Sequence, residues 1–265
     1  MKWKVLPVRQ SDQSIEPISA VGKLVRRANP LRERSFPHEI LDDGNHPETD
    51  LYGTFEDMRR VNSLLGGTSI TLKAIERLTG NIPAGDSLSI VDIGAGHADI
   101  PRAIRDWASR RSLGLEAIAL DIDHATLLTA TKLPENHGFH FLQGDFLNLP
   151  LTNNAVDVSL SSMTLHHLTD DDAVLALREM ARVSRRGIIV NDLMRTVHGY
   201  LVAWGLGRIA TSNRLTRHDA HRSIQRGRTE GELADLAERA GLQAPVFDST
   251  LGYRTAMTIG VQPWR

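Results

Sequence analysis

One stretch near the middle of the chain, residues 89–101, constrains the fold more than any other. Its first five residues are mostly apolar and β-branched, which predicts a buried strand. Gly94 and Gly96 then allow a sharp turn, because glycine adopts backbone conformations that a Cβ forbids. A helix is predicted over residues 99–111, with Pro101 in its first turn, where proline is tolerated. The sequence therefore predicts a strand, a glycine turn and a helix whose N-terminus faces a small ligand.

Strand and helix patterns alternate through the rest of the chain. Strands are predicted at residues 88–93, 116–121, 139–142, 155–161 and 187–192, and helices at 99–111, 123–131 and 170–184. This alternation is typical of an α/β fold, here a Rossmann-like doubly wound sheet of mostly parallel strands. A hairpin at residues 246–261 adds an antiparallel C-terminal strand. Right-handed crossovers bring the carboxyl ends of the parallel strands to one edge, where ligands bind in such sheets.

The predicted organisation places additions around this sheet. Residues 1–80 are expected to form an N-terminal arm and a helical cap, and residues 81–265 the sheet domain, with a helical lid inserted at 194–228 after the fifth strand. The first 34 residues carry eight Lys and Arg against three acidic residues. Two interpretations stay open for this arm: contact with a membrane surface or an acidic partner, or a solvated arm that leads into a helix.

Composition excludes several classes of protein. The 265 residues carry a net charge of −1, so no overall positive field attracts nucleic acid. The absence of Cys excludes disulfides, thiolate metal ligands and a cysteine nucleophile. No stretch approaches the roughly 20 apolar residues that span a bilayer, so stable membrane insertion is not expected. We expect a cytoplasmic protein. The sequence is also compatible with a homodimer.

The glycine pattern decides between nucleotide cofactors. A pyrophosphate-binding GxGxxG turn would place glycine at position 99, where Asp99 would repel phosphate, which disfavours a nicotinamide oxidoreductase. An acid at the end of the second strand, Asp121, can accept hydrogen bonds from ribose hydroxyls. Residues 91–98 resemble the (V/L)(D/E)xGxGxG motif of the class I S-adenosylmethionine (SAM) methyltransferases, with Ala98 in place of the last glycine.

This resemblance extends over residues 60–261 and implies a set of cofactor-binding residues. Residues 142–150 are similar to the family's adenine-binding motif, so Asp145 would accept the adenine amino group and the Phe146 N–H would meet a ring nitrogen. Ile122 would cover the ring, and Ser161 or Met163 would line the methionine part of SAM. The whole predicted set is Asp92, Gly94, Ala95, Gly96, Asp121, Ile122, Gly144, Asp145, Phe146, Ser161 and Met163.

Catalytic and acceptor-binding residues are predicted from the later strand ends. His166 and His167 lie in a loop just before a helix, and a histidine near neutrality can take the proton of a phenol or enol. His218, in the arginine-rich insertion, is the third candidate base. No metal cluster is evident. Acceptor contacts are predicted for Asn62, Asn191, Asp192, Trp204 and Arg222, with support of a histidine as the alternative for Asn191 and Asp192.

These residues lead to a functional prediction with open alternatives. The chain is expected to transfer a methyl group from SAM to a small aromatic or lipophilic acceptor, through a phenolic or quinol-like hydroxyl. Methylation of an activated carbon is the nearest alternative, and a non-catalytic SAM-binding module is another. The arginine-rich insertion would also suit an acceptor joined to a phosphopantetheine carrier.

Overall fold

The computed structural model describes residues 31–44, 46–209 and 211–261. The N-terminal basic arm up to residue 30, with its two interpretations, lies outside the described residues. Internal contacts distinguish two units, residues 1–33 and residues 34–265, and the second is described below. None of the described helices is long and apolar enough to cross a lipid bilayer.

Within the described ranges, seven strands form one mixed sheet in the order β3-β2-β1-β4-β5-β7-β6. Only β7 runs antiparallel to its neighbours β5 and β6, and all other pairs in the sheet are parallel. The predicted fold class is therefore confirmed. The strands are β1 (Ser87–Ile93), β2 (Gly114–Asp121), β3 (His140–Gln143), β4 (Val156–Ser162), β5 (Ser184–Leu193), β6 (Val246–Thr250) and β7 (Arg254–Gly260).

Eight α-helices surround the sheet and the edge where its parallel strands end. They are α1 (Glu48–Leu64), α2 (Gly67–Thr79), α3 (Asp99–Arg110), α4 (His124–Thr131), α5 (Asp170–Val183), α6 (Val197–Ile209), α7 (Arg214–Arg226) and α8 (Glu230–Arg239), counted over the described ranges. One core packs α2 and α3 on one face of the sheet. The other core packs α5 and α8 on the opposite face. The two cores bury the apolar faces that the helical periodicity predicts.

The strand boundaries agree with the sequence-based prediction to within one or two residues, except at the start of β5. Helix α1, within the predicted helical cap, extends over 17 residues. Strand β5 begins at Ser184, directly after α5, instead of at residue 187. The Ser184 hydroxyl donates to Ser159 Oγ at 2.9 Å and accepts from the Ser159 N–H at 3.0 Å, which ties the start of β5 to β4.

The predicted insertion after β5 contains two helices, α6 and α7, which pack against each other. They stand above the carboxyl ends of β4 and β5, together with α1 and residues 39–41. The division at residue 80 stays a prediction, although α1 and α2 belong to the same compact unit as the sheet.

Candidate active site

The glycine turn after β1 is held against the end of β2 by backbone hydrogen bonds. The N–H groups of Gly94 and Ala95 both donate to the carbonyl of Leu120, at 2.8 and 3.0 Å. Gly94 and Gly96 have φ angles of +73° and +52°, in the left-handed region that favours glycine. A Cβ on Gly96 would overlap the ring of Phe55 on α1. The turn therefore requires glycine both for its backbone conformation and for its packing.

Asp121 connects this turn to the end of β2. Its Oδ2 accepts from the N–H of Gly96 and its Oδ1 accepts from the N–H of Asp123, both at 3.0 Å. Burial raises the pKa of Asp121, while these backbone hydrogen bonds lower it. An ionised carboxylate offers about four lone-pair sites, so both oxygens can accept further hydrogen bonds. Asp121 can thus position the turn and still bind the two hydroxyls of a ribose.

Two buried oxygen atoms beside the turn, Asp92 Oδ1 on β1 and Ser161 Oγ on β4, have no hydrogen-bond partner among the described residues. Burial raises the pKa of Asp92 well above its usual range, and the nearby Asp99 and Asp121 carboxylates raise it further. A buried carboxylate without a partner is unfavourable, and a cationic ligand relieves that cost. The arrangement fits SAM, which carries a sulfonium and an ammonium group.

Replacing Asp92 by asparagine is expected to raise the unfolding temperature of the ligand-free protein at pH 7 by about 2–4 °C, or about 1 kcal/mol. Because the folded-state pKa is raised, the cost of Asp92 exists above the unfolded pKa of about 3.9 and disappears below it. The gain should therefore be absent near pH 3, and stabilisation by SAM should be weaker in the variant. Thermal unfolding with and without SAM at the two pH values measures both effects, with the exposed Asp106→Asn variant on α3 as control. A lower unfolding temperature at pH 7 would show that Asp92 is stabilising.

The predicted adenine side lies at the ends of β2 and β3. Ile122 leaves 68% of its surface exposed, which suits a side chain that covers a flat ring. The Gly144 N–H donates to the Asp121 carbonyl at 3.0 Å. Asp145 is exposed, and its Oδ1 accepts from the Leu147 N–H at 2.9 Å, while Phe146 is buried. The structure therefore brings the predicted adenine contacts to the same sheet edge as the glycine turn.

A cavity of about 310 Å³ lies beyond the ends of β4 and β5, enclosed by α1, α6, α7 and residues 39–41. Few polar groups interrupt its lining, a pattern typical of sites for small apolar ligands. Met163, which the sequence predicts beside the cofactor, also lines this cavity. The apolar lining comprises Leu41, Met58, Val61, Leu64, Leu65, Met163, Leu193, Val202, Ala203, Leu215, Ala220 and Ile224.

His166 lines the cavity, and Asp192 contacts both its imidazole ring and its backbone N–H. Its Nδ1 lies 2.7 Å from Asp192 Oδ1, and its backbone N–H donates to Asp192 Oδ2 at 2.7 Å. Burial would raise the pKa of Asp192, but the charge and hydrogen bond of His166 outweigh it and hold the pKa at about 2. An ionised Asp192 fixes the proton on Nδ1, so Nε2 becomes the proton acceptor. Asp192, predicted to orient the acceptor or to support a histidine, contacts His166 in the structure.

His167, whose ring centre lies 4.2 Å from that of His166, belongs to a charged cluster. Its Nδ1 lies 3.1 Å from Asp42 Oδ1 and 2.9 Å from the Arg226 guanidinium. Burial would lower the pKa of His167, but Asp42 and Glu39 outweigh it and raise the pKa. Burial likewise opposes a low pKa for Asp42, yet His167 and Arg226 lower it to about 2. The cluster therefore favours a protonated His167, which is a poor proton acceptor.

Glu39 brings a third potential ligand atom to the two histidines. One atom of Glu39, His166 and His167 each lies within 4.8 Å of the others, a spacing that could hold a metal ion. The Arg226 Nε lies 3.0 Å from Glu39 Oε1, so a guanidinium already supplies a positive charge there. The prediction of no metal stays a prediction.

Asn62 and Asn191 were predicted to contact the acceptor, and the structure uses both to hold Arg254. This fully buried arginine donates from Nε to Asn191 Oδ1 at 2.6 Å, and also donates to Asn62 Oδ1. It further donates to Ser162 Oγ at 2.8 Å, and Asn62 donates to Asp99 Oδ2 at 2.8 Å. Neither asparagine lines the cavity. Arg254 was missed because its guanidinium reaches across two strand ends from the C-terminal hairpin.

The remaining predicted residues of the insertion also lie outside the cavity lining. Trp204 is 44% exposed and packs under the Arg208 guanidinium, 4.0 Å from the ring centre. Arg222 donates to the His218 carbonyl at 2.6 Å. His218 Nδ1 lies 2.5 Å from Oδ1 of Asp219, a residue that does line the cavity. These three residues are not carried into the proposed function.

The fold and the strand-end motifs define one class of protein. A family model for the methyltransferase domain matches residues 91–190, which span β1 to β5. The doubly wound sheet, the glycine turn and the acids at the strand ends agree with that match. Residues 91–190 thus match the methyltransferase domain family, and the fold is that of the class I SAM-dependent methyltransferases, whose cofactor is SAM.

Two similar curated proteins are malonyl-[acyl-carrier protein] O-methyltransferases. The chain is 30% identical to that of Pectobacterium atrosepticum over 115 residues, which is 43% of this chain and 42% of the relative. It is 31% identical to that of Buchnera aphidicola over 123 residues, 44% of this chain and 45% of the relative. The match thus spans less than half the length of these relatives.

Solved structures share the fold at low sequence identity. A SAM-dependent methyltransferase from Aquifex aeolicus is similar with a TM-score of 0.57 at 14% identity, over 82% of this chain and all of that one. Human N-acetylserotonin methyltransferase in complex with SAM has a TM-score of 0.59 at 18% identity, over 82% of this chain and 57% of that one. At this identity the likeness supports the fold alone.

Proposed function

We propose that the protein methylates a hydroxyl oxygen of a small apolar acceptor, with His166 as the base. The observation that carries this proposal is the buried His166–Asp192 pair at the wall of an apolar cavity. An apolar cavity binds a lipophilic or aromatic acceptor through its surface. The Nε2 atom of His166 then takes the hydroxyl proton, and Asp192 stabilises the imidazolium that forms.

The residues at the strand ends hold the cofactor in this proposal. SAM, when bound, supplies a methyl group on a sulfonium. Asp121 binds the ribose hydroxyls. Ile122 covers the adenine ring, the Phe146 N–H donates to a ring nitrogen, and Asp145 accepts a hydrogen bond from the adenine amino group. Asp92 offers a buried oxygen without a hydrogen-bond partner to the positively charged groups of SAM. Much of the rate enhancement comes from the positioning of two bound reactants.

A carboxyl acceptor is the alternative that the named relatives suggest, because they are O-methyltransferases of malonyl-[acyl-carrier protein]. A carboxylate is already ionised at pH 7 and needs no base. The buried pair of His166 and Asp192 would then have no chemical task, so a hydroxyl acceptor is favoured. Carrier linkage remains compatible with a hydroxyl acceptor. Methylation of an enol carbon would use the same base.

The test supplies SAM with a deuterated methyl group and three acceptors in separate reactions: a long-chain alkylphenol, a long-chain fatty acid and a malonyl-loaded acyl carrier protein. Mass spectrometry detects the labelled product, and its fragmentation distinguishes an O-methyl from a C-methyl group. We expect label on the phenol oxygen. Label only on the malonyl carboxyl would overturn the hydroxyl assignment, and label on ring carbon would replace O-methylation by C-methylation.

A further inference from the structure

Helix α6 is packed with its small residues inward and its large apolar residues outward. Gly199 and Gly207 are buried, each one helical turn from the half-buried Ala203. A Cβ on Gly199 would lie 2.9 Å from Tyr253 Cβ, so glycine permits the close approach of α6 to the C-terminal hairpin. A Cβ on Gly207 would contact Ala220 and Arg217 of α7. The inward face of α6 therefore packs its backbone closely against the C-terminal hairpin and α7.

The outer face of α6 is defined here as Val197, Leu201, Val202, Trp204 and Ile209. These side chains are between 44% and 85% exposed. Helices of a globular fold usually turn such residues toward the core. A continuous exposed apolar face of this kind marks an interaction surface.

The mouth of the acceptor cavity opens at this face. Val202 belongs to both the outer face and the cavity lining. Leu64, at the end of α1, is 80% exposed and also lines the cavity. An apolar route therefore runs from the outer face of α6 into the cavity.

Arginines border the outer face. Arg208 stacks on Trp204, and Arg217 is exposed on α7 next to Gly207. Arg60, on α1, is exposed and lines the cavity mouth, where it pairs with Glu56. Apolar side chains with a tryptophan, flanked by arginines, are the combination by which helices lie in the interface of anionic membranes.

We propose that the outer face of α6 rests on the surface of an anionic lipid membrane and admits the acceptor from the lipid phase. A second copy of the chain on this face would close the cavity mouth, whereas a membrane leaves a route for a lipophilic acceptor. The delivery of an acceptor rests on the proposed function. The contact with lipid does not, because it depends only on the outer face and its arginines.

The test compares the full chain with Leu201→Glu, Trp204→Glu and a control, Leu175→Glu, in flotation with vesicles of phosphatidylcholine and phosphatidylglycerol. Leu175 lies on α5, outside the outer face, and is 45% exposed, close to the 44% of Trp204. We expect the wild type and the control to bind these vesicles, with binding weakened by high salt and lost on pure phosphatidylcholine. Each variant of the outer face should bind at least about tenfold more weakly, because its carboxylate must enter the apolar layer.

Calorimetric titration with S-adenosylhomocysteine establishes that each variant retains a folded cofactor site. Wild type that stays free of vesicles, or outer-face variants that bind as well as Leu175→Glu, would overturn the proposal. Light scattering that gives a wild-type dimer and a Leu201→Glu monomer would assign the face to a second copy instead. Failure of the acceptor assay alone, with vesicle binding intact, would reject the proposed hydroxyl chemistry and leave the membrane contact standing.

Discussion

Replacement of His166 by alanine is expected to lower kcat by about 10² to 10⁴, the usual contribution of a general base. The side chain lines the acceptor cavity and is fixed by Asp192, so its loss removes the proton acceptor and leaves the cofactor site intact. The affinity for S-adenosylhomocysteine should therefore stay unchanged. Initial rates with the acceptor found by the labelled-methyl assay, together with calorimetric titration, measure the two quantities.

The exposed His140 on β3, replaced by alanine, serves as the matched control and should retain wild-type turnover. Asp192→Asn should lower kcat in the same direction as His166→Ala, because the amide no longer fixes the ionised partner of Nδ1. Full turnover by His166→Ala would reject the base assignment while the fold and the cofactor site stand.

Replacement of Asp121 by alanine is expected to weaken the binding of S-adenosylhomocysteine by about 10²-fold or more. Each hydrogen bond to a charged group contributes about 1.5–3 kcal/mol, and this carboxylate would receive two from the ribose. The variant also loses the hydrogen bond that Asp121 accepts from Gly96, which positions the glycine turn. Calorimetric titration gives the affinity directly, without an acceptor.

Asp123→Ala separates this effect from a general loss of stability. Asp123 caps α4 by accepting from the N–H groups of Ala125 and Thr126, at 3.2 and 3.0 Å. Its loss should cost about 1 kcal/mol of stability and change the affinity little. Equal losses of affinity in Asp121→Ala and Asp123→Ala would contradict a direct role for Asp121.

The residues predicted to bind the cofactor could be found from the sequence because each belongs to a short local pattern. Two glycines in one turn and an acid directly after a strand are patterns of residues that are close together in the sequence. The parallel sheet then brings Gly96, Asp121 and Asp145 to one edge by its topology. The pattern of alternating strands and helices therefore predicts both the fold and the geometry that these residues share.

The residues around the acceptor cavity could not be found in this way, because segments that are far apart in the sequence come together there. Glu39 and Asp42 meet His167 and Arg226 across more than a hundred residues, in a region of the sequence that shows only a loop composition. Asn191 and Asp192 are adjacent on β5 and point to opposite neighbours, one to Arg254 and the other to His166. Their polarity alone cannot separate a structural contact from a catalytic one. Buried arginine partners could have been suspected only from the surplus of arginines in the insertion.

Helix α1 contacts both the glycine turn and the cavity beyond the ends of β4 and β5. Phe55 covers Gly96 and stacks on His97 with ring centres 4.3 Å apart, while Met58 and Val61, one turn further on, line the acceptor cavity. A displacement of this helix that uncovers the glycine turn therefore also widens the acceptor cavity. We expect exchange of the spent cofactor and release of the methylated product to require the same displacement of α1.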